Sequence, residues 1–204
     1  MNRVKSHAAT GAVVQQRLTL ISTVFLVAAM LFAVPSTSAA VCPSILEQRF
    51  NRLQDDQLVD LCQYAEKGVL VVSTPSFRSF THQYTGLEKR YADNRERSRV
   101  VLGLPVNDFA NLEPGGNKQI TNFCRRNDGV ALPMLEKSPV VRPSTNLFYK
   151  VLAQSTGDRP QWNFHKHLVG RNSREVLGFR FAVESGDARL TAQLERMLNA
   201  EVRP

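Results

Sequence analysis

The sequence is poor in cysteine, with three residues in 204. That is too few for a small fold stapled by many disulfides. It also lacks any Lys/Arg block long enough to form a nucleic-acid patch, although 26 Lys and Arg face 18 Asp and Glu for a formal net charge of +8. Nucleic acid is therefore not an expected partner. Internal repeats and an interdomain linker are absent. At 43% apolar and 22% charged residues, the composition excludes a disordered chain and fits one ordinary domain. The first 40 residues contain no Asp or Glu but hold Arg3, Lys5 and Arg17. The remainder keeps 23 basic against 18 acidic residues, so a good part of the excess charge belongs to the front of the chain.

That front is compositionally separate. A polar, basic stretch to Arg17 precedes the uncharged run LTLISTVFLVAAMLFAV, Leu18 to Val34, which Pro35 ends. Small residues follow, with Ser38 and Ala40 placed as a signal peptidase requires. Basic region, apolar region and small-residue site form the secretory pattern, so residues 1–40 are expected as a signal peptide and residues 41–204 as the mature domain. The alternative is an inner-membrane anchor formed by residues 18–34, a run at the short end for a span. No twin arginine precedes the run, and Val41 is too large for a lipoprotein site before Cys42. The expectation is a periplasmic or secreted protein with no stable membrane contact after cleavage. In such a compartment disulfides persist. Cys42 and Cys62 both lie ahead of the main αβ pattern and are expected to pair, the alternative being two unpaired thiols. A loop of that length contributes about 3 kcal/mol in the chain-entropy account. Cys124 is left as the odd cysteine.

From residue 68 the pattern alternates. Gly68–Ser73 and Arg99–Leu104 are short apolar, β-branched runs that read as buried strands. Thr81 is placed to cap a helix bearing Tyr84, Leu87 and Tyr91. Asn117 is placed to cap one bearing Ile120, Phe123 and Cys124. A short strand is expected at Leu132–Leu135, and a helix with Phe148, Val151 and Leu152 that stops by Gly157. Residues 163–169 and 175–181 flank Gly170-Arg171-Asn172-Ser173 as a hairpin, and a last helix carries Leu190, Leu194, Met197 and Leu198. The expected fold class is α/β, a single domain with a central mixed sheet flanked by helices.

The segments after these strands carry a signature. Phe80-Thr81-His82-Gln83-Tyr84-Thr85-Gly86-Leu87-Glu88 follows the first. Leu104-Pro105-Val106-Asn107-Asp108-Phe109 and Glu113-Pro114-Gly115 follow the second. Asn122-Phe123-Cys124, Leu132-Pro133-Met134-Leu135-Glu136-Lys137-Ser138 and Trp162-Asn163-Phe164-His165-Lys166 come after. In order and spacing these resemble the glutathione peroxidase family, over roughly Phe50 to Leu198. The Cys-Pro pair at 42 and 43 and Leu61-Cys62-Gln63-Tyr64 resemble its exported bacterial branch. The resemblance implies a thioredoxin-like fold and thiol-dependent reduction of hydrogen peroxide and organic hydroperoxides, with glutathione or a thioredoxin-like reductant as partner. It implies no cofactor.

In that family a selenocysteine or cysteine attacks the peroxide from a motif like N-x-A-S-x-C-G-F-T. Here the stretch is Ser73-Thr74-Pro75-Ser76-Phe77-Arg78-Ser79-Phe80-Thr81, and Arg78 takes the nucleophile's position. The family's active Gln lies in a stretch like N-D-F-G-G-Q-E-P. Leu112 takes its position. Trp162 and Asn163 alone match the rest of the family's active set. Peroxide reduction needs a polarisable thiolate held by neighbouring donors. Arginine is a permanent cation with no lone pair to offer, and leucine has no donor. Loss of peroxidase catalysis is therefore expected. Ser98, Ala110 and Arg142 stand where the family usually has glycine, and positive φ there would strain each loop.

Cys124 matches the position of a resolving cysteine, which without a peroxidatic partner has nothing to resolve. The alternatives left open are a working thiol peroxidase or thiol-disulfide protein using Cys124 or the Cys42/Cys62 pair, and a binding module in which Arg78 receives an anion. His165 and His167 alternate on one strand face, but a third ligand at metal-binding spacing is missing, so no metal is expected. His82 is expected as a surface or capping group.

Overall fold

The computed structural model describes residues 41–75, 81–94, 98–127, 130–141 and 143–199, with the backbone alone for 81, 94, 123–127 and 198–199. The leader and cleavage point expected in residues 1–40 lie outside the described residues, as do Arg78 and Arg142. A short hairpin comes first, β1 (Arg49–Asn51) pairing antiparallel with β2 (Leu58–Asp60). The first apolar run forms β3 (Gly68–Thr74), every residue of it buried. Helix α1 (Thr81–Asn94) leads to the second run, β4 (Arg99–Pro105), also buried throughout and parallel to β3. Runs apolar on both faces suit a sheet covered on both sides. Helices α2 (Asn117–Asn127) and α3 (Leu147–Thr156) follow, then β5 (Lys166–Val169), β6 (Val176–Phe179) and α4 (Ala188–Asn199). The strand order is β4-β3-β5-β6, with β5 antiparallel to both of its neighbours. One parallel pair joined to an antiparallel hairpin makes the sheet mixed.

The period of two along β3 divides the core. Val69 and Val71 face a layer with Phe148, Tyr149 and Leu152 of α3 and the N-terminal Leu46, Phe50 and Leu61. Leu70 and Val72 face Tyr84 and Leu87 of α1, Ile120 of α2, and Leu190, Leu194 and Met197 of α4. The helix faces read from the sequence thus land against opposite sides of one sheet. Among the described residues no helix is long and apolar enough to cross a membrane.

Helix ends follow local chemistry. Asn146 Oδ1 accepts the Phe148 N–H at 2.8 Å to start α3, and Gly157 ends it at φ 68°, a conformation that glycine adopts without strain. Asp187 Oδ1 accepts the Arg189 N–H at 2.7 Å to start α4. Two expected caps differ. Thr81 and Asn117 are the first residues of their helices, and the Asn117 side-chain carbonyl accepts the Lys137 N–H at 3.1 Å instead. A strand at Leu132–Leu135 is reduced to two bridges. Met134 pairs with Gly103 on the open side of β4, through Gly103 N–H to Pro133 O at 3.0 Å and Leu135 N–H to Gly103 O at 2.7 Å, and Leu135 bridges Arg52. Gly103 makes this approach feasible, since a Cβ there would lie 2.3 Å from the Met134 sulfur.

Candidate functional site

The carboxyl end of β3 is gripped by the turn before β5. Ser73 donates its N–H to His165 O at 3.0 Å and accepts the Phe164 N–H on its carbonyl at 2.7 Å. Its hydroxyl accepts the His165 N–H at 3.1 Å. Phe164 sits at φ 60°, so the chain turns sharply and the paired strand starts only at Lys166, three residues later than the sequence pattern suggests. The Phe164 ring meets Tyr84 edge-on at 5.4 Å, and the Tyr84 hydroxyl donates to Pro75 O at 2.8 Å. This grip fixes Trp162 and Asn163 beside the end of the strand that leads to Arg78. Arg78 itself lies outside the described residues.

The loop after β4 joins the same end. Val106 donates to Thr74 O at 2.9 Å. Asn107 folds the loop on itself, accepting the Glu113 N–H at 2.9 Å and donating to Asn111 Oδ1 at 2.6 Å. The Asp108 carboxylate accepts the N–H groups of Val140 and Val141. Phe109, buried, lays its ring 5.9 Å from that of Trp162. Leu112 follows in the same loop, half-buried, its N–H directed at Phe109 O. The structure therefore brings Trp162, Asn163 and the Leu112 loop to one end of the sheet. Ala110 and Asn111 hold φ of 54° and 52°, and Ser98 holds 49°. Positive φ is thus present at both described positions where glycine is replaced, and a side chain there costs on the order of 1 kcal/mol.

Asn163 is 1% exposed, yet neither its amide nitrogen nor its oxygen has a hydrogen-bond partner. Next to it a cavity of about 350 Å³ is lined by Gln161, Trp162, His165, Arg180 and Phe181. His165 Nε2 is buried and unpartnered. Burial, with the charge His167 would carry adding to it, holds the His165 imidazole down to about 4, so it is neutral at physiological pH. The two imidazole rings lie 4.7 Å apart, tilted by 46°, and His167 Nε2 lies 3.3 Å from Asp158 O. Among the described residues no three His, Cys, Asp or Glu side chains gather where a metal ion would be held. His82 is exposed, 3.6 Å from Glu184.

Lys166 was not singled out by the sequence. It is fully buried and donates to Phe164 O at 2.8 Å and Val183 O at 2.7 Å, with Gln83 Oε1 at 3.5 Å. Burial lowers its pKa to about 8. Gln83 Oε1 also accepts the N–H and hydroxyl of Ser185, so α1, β5 and the segment before α4 share one polar knot. The available signal was position. Lys166 alternates with Leu168, both opposite the apolar Val72 and Leu70.

Cys124 lies on α2, and its side chain is outside the described residues. Cys42 and Cys62 are joined as a disulfide with Cα atoms 5.2 Å apart. Asp60 starts the short helical turn that holds Cys62 by accepting its N–H at 3.0 Å.

At this end of the sheet Trp162 lines the cavity, while Asn163 is buried behind it. Neither of its two loops contains a cysteine. A family model described as glutathione peroxidase matches residues 47–153. A glutathione peroxidase-like peroxiredoxin of Chlamydomonas reinhardtii is 39% identical over 138 residues, 66% of this chain and 84% of that protein. The crystal structure of Trgpx in apo form superposes with a TM-score of 0.62 at 27% identity, covering 80% of this chain and 100% of that one. A thioredoxin-type solution structure from Neisseria meningitidis, at 14% identity and a TM-score of 0.53 over 78% of this chain and 93% of its own, shares the fold. With its thioredoxin-like sheet and the family's loops gathered at one end of it, the chain belongs to the glutathione peroxidase family.

Proposed function

We propose that this protein is a family member that does not turn over peroxide. The observation that carries the reading is in the sequence, with Arg78 at the nucleophile's position and Leu112 at that of the Gln. A guanidinium cannot attack oxygen, and loss of a nucleophile removes the covalent step itself. Side chains at positive φ at Ala110 and Asn111 fit a loop freed from a catalytic requirement. Glutathione or a thioredoxin-like protein is the reductant class to be tested, and the leader pattern makes the periplasm or the exterior the expected setting. A second reading, a pocket reused for binding, is favoured by the cavity at Trp162, whose lining includes the unpartnered His165.

The test is peroxide consumption by purified protein with each reductant in turn. No cysteine-dependent rate above background is expected. Turnover on the order of 1 per second or more overturns the proposal. Thiol counting on the denatured, unreduced protein accompanies it. One free thiol, from Cys124, is expected. Three would remove the Cys42–Cys62 pairing.

A further inference from the structure

A second cavity, of about 510 Å³, lies between α3 and the segments on either side of it and shares no lining residue with the one at Trp162. Its size falls in the range of small-ligand sites. Val140, Pro143, Ala153 and Pro160 give it an apolar wall, and no Asp or Glu lines it. Lys150 and Arg159 stand in its lining, both exposed, and neither side chain has a hydrogen-bond or ion-pair partner among the described residues. The neighbouring carboxylate of Asp158 is turned to Arg180, 3.7 Å away. Tyr149 also lines the cavity. It is 1% exposed, and its hydroxyl has no partner. Burial raises its pKa, so the phenol stays protonated and remains a donor.

We infer that this cavity binds a free organic carboxylate with an apolar body. The apolar wall takes the body and removes it from water. The two unpaired cations take the carboxylate in charge-assisted hydrogen bonds at the mouth. A neutral molecule of the same shape would leave both cations unanswered, and a small inorganic anion would leave the wall wet. Binding here needs no residue of the Trp162 cavity, so the site stands whether or not peroxide is reduced there.

The experiment is calorimetric titration of the purified protein with sodium octanoate, octanol and sodium acetate as probes. Saturable one-to-one binding of octanoate is expected, with octanol about tenfold or more weaker, the ratio one lost charged hydrogen bond produces, and acetate about tenfold or more weaker because it buries almost no apolar surface. Lys150→Gln combined with Arg159→Gln, both on the surface, should weaken octanoate by at least about tenfold and leave octanol unchanged. Ala153→Phe should fill the cavity and abolish binding without lowering the unfolding temperature. Octanoate binding no tighter than octanol, unchanged affinity in the double charge variant, or unchanged affinity in Ala153→Phe would each overturn the assignment.

Discussion

Two loops meet at the carboxyl end of β3, and they have fared differently. The backbone of the turn from Trp162 to His165 is clamped to Ser73 by hydrogen bonds in both directions. The loop from Asn107 to Glu113 keeps its frame, through Asn107, Asp108 and the Phe109 contact with Trp162. Within that frame it carries Ala110 and Asn111 at positive φ, and the apolar Leu112. Asn107 and Asp108 bind backbone groups, so their loss would leave buried N–H donors unmet. The side chains at 110 and 112 make no such bond. The difference teaches that a few side chains bonded to backbone can fix a loop and leave the residues between them without a structural task.

The sharpest way to break the comparison is to restore the chemistry. Arg78→Cys alone should give little peroxide consumption, because a free thiol has a pKa of about 8.5 and few thiolates at neutral pH. Adding Leu112→Gln should raise the rate about tenfold to a hundredfold, the worth of one charged hydrogen bond to the thiolate. The two changes should be non-additive in a double-mutant cycle. If Leu112→Gln helps equally with Arg78 in place, the two loops do not form one pocket.

Acid should strike the retained turn. His165 is held neutral down to about 4 by burial, while in the unfolded chain it titrates near 6.5. Below 6.5 the unfolded state takes up a proton that the folded state refuses, so stability falls as pH drops from 6.5 to 4. The full loss is about 3 kcal/mol. Urea unfolding at pH 7 and pH 4.5 should show it, and His165→Gln should flatten that slope. An unchanged slope in the variant would assign the acid sensitivity elsewhere. Lys166, lowered to about 8, acts with the same sign at higher pH, its cost easing as pH rises from 8 toward 10.5.

The smallest effect tests the altered loop directly. Ala110→Gly should stabilise the protein by about 1 kcal/mol, because glycine accepts φ of 54° without a Cβ clash. Thermal unfolding measures it. A loss of stability would mean that the Ala110 methyl packs usefully and that the loop is not strained.

Much of the architecture was legible because buried strands and helix faces announce themselves by period. The runs at β3 and β4 and the stripes Tyr84/Leu87 and Leu190/Leu194/Met197 all found their places. What the sequence hid depends on partners far along the chain. Asn117 looks like a cap until Lys137 offers its N–H, and Leu132–Leu135 looks like a strand until only Gly103 and Arg52 are there to pair with it. The delayed start of β5 follows from Phe164 taking a positive φ that no local signal demands. At the site, the meeting of Trp162 with the loop that carries Leu112 follows from their places after the strands. The unpartnered amide of Asn163 and the burial of Lys166 were not, since both are properties of packing.

The bridge between Met134 and Gly103 has one more consequence. β4 is an edge strand, seven residues long and apolar, the kind of edge onto which a second molecule can add a strand and begin an aggregate. The Pro133–Leu135 segment occupies the N–H and C=O of Gly103 on that open side. The opposite edge, β6, is only four residues long and ends against Arg180, a charged neighbour of the sort that discourages pairing. Solubility at high concentration is thus guarded on one side by a borrowed segment that needs a glycine beneath it, and on the other by shortness and charge.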